Sequence, residues 1–76
     1  MKLKKALESA ERELDRAFKN YPAMASPHEG FAILLEEVDE LWDEVKPKPY
    51  LRSRERMREE AMQIAAMAIR FAVDLT

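Results

Sequence analysis

Carboxylates fall in two clusters at helical spacing in this chain. Glu36, Glu37 and Glu40 lie in one segment, and Glu59 and Glu60 lead a second, with Gln63 three positions beyond Glu60. On a helix, residues three or four apart share a face on neighbouring turns. Two such helices packed side by side bring Glu37 and Glu40 against Glu60. Oxygen atoms converging in this way suit a hard divalent cation, and Mg²⁺ takes an octahedral oxygen set while keeping several waters. The chain has no cysteine and one histidine, His28, so thiolate zinc and iron–sulfur sites are excluded. Any metal is left to the carboxylates, the Gln63 amide and His28.

Those groups need helices to hold them, and the composition supplies helices. The chain has 76 residues with 47% hydrophobic and 37% charged side chains, one glycine and four prolines. This is the balance of one small globular domain, spanning 1–76, with few loops. A formal charge of −2 gives no reason for general nucleic-acid affinity. The most apolar run, Ala61 to Val73, is broken by Gln63 and Arg70 and is shorter than the roughly 20 residues a membrane span needs. No signal peptide follows Met1, which points to the cytoplasm.

Leu3, Leu7, Ala10, Leu14, Ala17 and Tyr21 recur at steps of four and three and predict a first helix over about Lys2 to Lys19, ended by Tyr21-Pro22. Ser26-Pro27-His28-Glu29 is a helix start, with Ser at the N-cap, Pro at the first position and Glu completing a capping box. His28 reads as an exposed residue of that first turn. The second helix carries an apolar stripe of Phe31, Leu34, Leu35, Val38, Leu41, Trp42 and Val45, expected to face the core with Trp42 packed inside. Ile33, Glu37, Glu40 and Glu44 form a row beside the stripe, while Glu36, Asp39 and Asp43 point away.

Lys46-Pro47-Lys48-Pro49 stops the second helix, and six basic residues lie between Lys46 and Arg58 against one acid, Glu55. Arg54, Arg56 and Arg58 sit at the start of a third helix, where the helix dipole disfavours positive charge. They balance either the acidic surface of the second helix or a bound phosphate chain. The third helix is expected from about Leu51–Ser53 to Asp74. One face holds Met57, Ala61, Ile64, Ala65, Ala68, Phe71, Ala72 and Leu75; the other holds Met62, Ala66, Ile69 and Val73, with Arg70 turned outward. A helix apolar nearly all round must be covered nearly all round. Self-association through helix three is therefore expected, as a homodimer or homotetramer. The predicted fold is all-α, a three-helix antiparallel up-down arrangement that completes a helical bundle by oligomerisation.

The pattern Glu-Glu-x-x-Glu at Glu36, Glu37 and Glu40, followed after a spacer by Glu60 as the opening of Glu-x-x-Asp, resembles the MazG-like superfamily of all-α nucleoside triphosphate pyrophosphatases. The resemblance runs over about residues 31–75, and the family's Asp is replaced here by Gln63. It implies Mg²⁺ or Mn²⁺ held by Glu37, Glu40 and Glu60, with Gln63 as a weakened fourth ligand. It also implies attack of water on the α-phosphorus of a (deoxy)nucleoside triphosphate, releasing monophosphate and pyrophosphate. Glu36 or Glu44 would serve as base, and Lys48, Arg56 and Arg58 would assist the phosphates. The alternative of a different class is a non-catalytic helical oligomerisation module that keeps the fold with a degenerate metal site. Gln63 separates the two, because hard cations are held largely by ligand charge.

Overall fold

Ser26 and Ser53 start two of the helices. The Ser26 hydroxyl accepts the Glu29 N–H at 3.1 Å and the Ser53 hydroxyl accepts the Arg56 N–H at 3.1 Å, each satisfying an otherwise orphaned backbone donor. The computed structural model describes all 76 residues: α1, Leu3–Asn20; α2, Pro27–Val45; one 3₁₀ turn, Pro49–Leu51; and α3, Arg54–Leu75. There is no strand. Tyr21 closes α1 in an extended conformation, as the following Pro22 requires. The 3₁₀ turn takes up the residues just before Ser53, so α3 begins slightly later than its pattern suggests. No helix is long and apolar enough to cross a membrane.

Helix α3 is the middle element. Both α1 and α2 pack on it, and they do not pack on one another. Gly30 of α2 lies against Phe71 and Leu75 of α3, while Glu37 approaches Glu60, so these two helices are antiparallel. Glu13 meets Gln63 and Ala17 meets Arg70, so α1 runs in the same direction as α3. The order in space is α1–α3–α2, a single layer of helices with two open faces.

The joint between α1 and α3 is polar. Arg70, expected to point outward, is only 4% exposed. Its Nη1 donates to the Ala17 carbonyl at 2.6 Å and its Nη2 to the Tyr21 carbonyl at 2.9 Å, acceptors at the end of α1 of which Ala17 also takes the Tyr21 N–H. Its Nε pairs with Asp74 Oδ2 at 2.9 Å, and the guanidinium carbon stands 4.8 Å from the centre of the Phe18 ring. Asp74 Oδ2 also accepts the Met24 N–H at 3.0 Å, which ties the α1–α2 connection to the same knot. The Met24 N–H first, then Arg70, holds the Asp74 carboxyl below the usual carboxylate range, against an opposing contribution from burial.

The apolar interior is thin: Ala10, Ala17, Met24 and Ala66 are buried, and no large side chain is fully enclosed. Two expectations change here. Only part of the α2 stripe faces the core: Leu34, Leu41 and Val45 are half-buried, whereas Phe31, Leu35, Val38 and Trp42 are exposed, Trp42 at 58%. Helix α2 turns Gly30, Leu34, Glu37 and Leu41 towards α3. Gly30 explains the rotation, since it permits a close approach: a Cβ there would stand 2.6 Å from the Phe71 ring and 2.8 Å from a Leu75 methyl. On α3, Ala66 lies on the side assigned to a partner, yet it is fully buried within the protomer, while Ala68 and Ala72 of the expected core face are exposed.

Gly30→Ala is therefore expected to destabilise the protein despite alanine's better helix propensity. Overpacking costs roughly 1–3 kcal/mol and the propensity gain returns at most about 1. Urea denaturation should show a net loss of about 1 kcal/mol with an unchanged m-value.

Candidate metal centre and groove

Helix α2 carries Glu37 and Glu40 one turn apart, and α3 brings Glu60 to them from the opposite side. One carboxylate oxygen from each of the three lies within 4.8 Å of the other two. Adjacent ligand oxygens around Mg²⁺ stand about 3 Å apart, given metal–oxygen distances of about 2.1 Å, so small side-chain rotations close the set. Oε2 of Glu37 and Oε2 of Glu60 are buried and have no hydrogen-bond partner. Buried acceptors without donors are costly, and either a proton shared with Glu40 or a bound cation satisfies them. The residues present therefore fit a hard divalent ion through three carboxylates.

Electrostatics show what the cluster costs without one. The Glu37 carboxyl is pushed up to about 7, first by burial, then by Glu40 and by the charges of Glu60 and Glu36. Glu60 is also raised, first by burial, then by Glu40, Glu44 and Glu59. Glu36, Glu44 and Glu59 thus lie within electrostatic reach of the cluster without being members of it. Glu36 is exposed and Glu44 half-buried.

Gln63 faces α1 as well as the cluster's side of α3. Its amide Nε2 donates to Glu13 Oε2 at 2.9 Å, and the same oxygen pairs with Arg16 at 2.8 Å. Gln63 and Glu37 both line a groove of about 640 Å³ that runs between α1 and α2 over α3. Arg16 and Asn20 of α1, with Tyr21 just past its end, form one wall; Glu29, Ile33 and Glu37 of α2 form the other. Met67 and Arg70 contribute from α3. Lys48, Arg56 and Arg58 are exposed and stand outside this groove. Arg56 is one helical turn before Glu60, on the same side of α3.

Comparison with protein-family models, with curated proteins and with solved structures finds no match to this chain. The functional reading therefore rests on this geometry for the metal, and on the motif resemblance of Glu36, Glu37, Glu40 and Glu60 for the reaction. Pattern reading did not find Glu13, Arg16 and Asn20 as groove residues, because nothing local to α1 signals which helix it will meet. It also missed the Arg70–Asp74 pair, although two opposite charges four residues apart inside an apolar run are a usable signal.

Proposed function

We propose that this protein is a Mg²⁺- or Mn²⁺-dependent nucleotide pyrophosphohydrolase, acting on a (deoxy)nucleoside triphosphate. The observation that supports it is the convergence of Glu37, Glu40 and Glu60 with two buried, unpartnered carboxylate oxygens. Glu37, Glu40 and Glu60 hold the ion, and the Gln63 carbonyl is a neutral fourth donor. A bound divalent ion would supply charge neutralisation on the phosphates. The chain's own part is to orient a water and take its proton as the bond between α- and β-phosphates breaks. Glu44 is better placed than Glu36 for that role, being half-buried and close enough to raise Glu60. Arg56, one turn before Glu60 on the same side of α3, meets the departing pyrophosphate with Lys48 from the α2–α3 connection, while Arg58 lies round the helix from Glu60 and serves at most through its long side chain. The proposed enzyme is a homodimer or homotetramer associating through helix three, where Ile69 and Val73 stay exposed in the protomer.

The test is hydrolysis of a panel of ribo- and deoxynucleoside triphosphates with Mg²⁺ and with Mn²⁺, scoring monophosphate and pyrophosphate. Release by the natural protein and not by Glu37→Gln/Glu40→Gln supports the reading. Silence across the panel from folded protein sinks it.

One observation favours a non-catalytic helical module instead: the Gln63 amide is engaged structurally with Glu13. Gln63→Asp separates the two readings. In an enzyme with a weakened fourth ligand, the added carboxylate raises Mn²⁺ affinity and turnover by about tenfold or more, since hard cations respond to ligand charge. Without metal the same change loses the Glu13 bond and costs roughly 1 kcal/mol. A stability loss with no gain in metal affinity supports the module.

A further inference from the structure

The layer of helices has a polar front and an apolar back. The front carries the groove and the acidic cluster. At 100° per residue, Phe31, Leu35, Val38 and Trp42 fall on the side of α2 turned away from Ile33, Glu37 and the groove. On α3 the same rule places Ala65, Ala68, Ile69 and Ala72 on the back, opposite Met67 in the groove floor. Leu7 and Phe18 continue this face on α1, and both are exposed.

We infer that a second copy of this chain docks back to back on this apolar face, with the α2 stripe as its main contact, leaving a complete groove and acidic cluster on each outer side. The inference rests on the proposed self-association and not on the proposed hydrolysis. It changes the contact from helix three alone to the whole back of the layer.

Three observations select a second copy as occupant. Phe31, Leu35, Val38 and Trp42 follow steps of four, three and four, the seam by which a helix packs on a like helix. The layer measures 40 × 27 Å in its two longer directions, so its back offers on the order of 1,000 Å², enough for the roughly 800 Å² per partner of a stable interface. The protomer encloses no large apolar side chain, and a paired layer supplies the missing interior. The named residues are uncharged, and the apolar patch on α3 ends at its first turns, where Arg54 and Arg58 fall on the same side.

Trp42 is the only tryptophan and reports on the face directly. Light-scattering mass and Trp42 emission are measured together on the full chain, with Leu35→Glu/Trp42→Phe as a mass-only variant. The expected result is at least twice the 8.9 kDa chain mass, with blue-shifted Trp42 emission shielded from acrylamide. The Leu35→Glu variant should lose that mass, whether as folded monomer or as unfolded chain. An assembly in which Trp42 stays open to quencher overturns the back-face contact but not self-association. A helical monomer with exposed Trp42 overturns both and leaves the face to a different protein. Neither outcome bears on the pyrophosphate assay, which fails or succeeds independently.

Discussion

Arg70→Ala is expected to unfold this protein or bring it close to unfolding. The substitution removes three hydrogen bonds: the Tyr21 carbonyl loses its donor, Asp74 keeps the Met24 N–H but loses its counter-charge, and the Ala17 carbonyl is left with the Tyr21 N–H alone. Breaking one side of a buried ion pair costs about 3–5 kcal/mol. With so thin an interior this domain belongs at the low end of the roughly 4–11 kcal/mol expected for its size, so little or nothing remains. Arg70→Lys keeps the charge but cannot reach three acceptors with a forked donor set, and should still lose about 2 kcal/mol. Guanidinium titration followed by circular dichroism reads both. If Arg70→Lys matched the natural protein, the guanidinium fork would not be what joins α1 to α3.

Glu37→Gln should move stability and hydrolysis in opposite directions. The Glu37 carboxyl is raised from 4.5 to about 7, so between those values the folded protein holds a proton that the unfolded chain has released. Stability of the metal-free natural protein must then fall as pH rises through that window and level off above it. The amide variant lacks this slope. At pH 8 without divalent ion it should be more stable by on the order of 1–2 kcal/mol, once solvent screening of a partly buried group is allowed for. With millimolar Mn²⁺ the natural protein gains stability and the variant gains much less, because ligand binding to the folded state adds to its free energy. Pyrophosphate release should drop by about 100-fold or more, the loss of a few kcal/mol of transition-state stabilisation. Asp74 acts in the opposite sense: its lowered carboxyl contributes stability that disappears as pH falls through its folded value. The metal-free protein should therefore be most stable near pH 5. Thermal melts from pH 3 to 9, with and without Mn²⁺, check both slopes; a metal-free maximum above pH 7 would contradict the placement of Glu37.

What was legible in the chain was local chemistry. Ser26-Pro27 and Tyr21-Pro22 set helix ends through backbone donors and fixed torsions, and the structure follows them closely. The Glu37, Glu40 and Glu60 cluster was also accessible, since each half follows from spacing along one helix. Rotation of α2 was not. A stripe of large apolar residues marks where a helix wants cover, whereas Gly30 marks where a neighbour can come closest, and the two lie on different sides of α2. Arg70 was misplaced for a related reason. Within an apolar run a lone charge reads as the solvent side, but the Ala17 and Tyr21 carbonyls at the end of α1 take its donors inside the protein. Those acceptors lie 49 and 53 residues away in sequence, beyond the reach of any periodicity.

The middle position of α3 orders the assembly of the chain in time. Neither α1 nor α2 has a helical partner before α3 forms, and an isolated helix of α1's length is marginal in water. Helices α2 and α3 are joined by a short, proline-stiffened connection, so their closure costs little entropy. α1 must instead wait for a surface more than forty residues downstream, and it is held there largely by one guanidinium. It is thus the element expected to dock last, and one wall of the groove is complete only once it has done so.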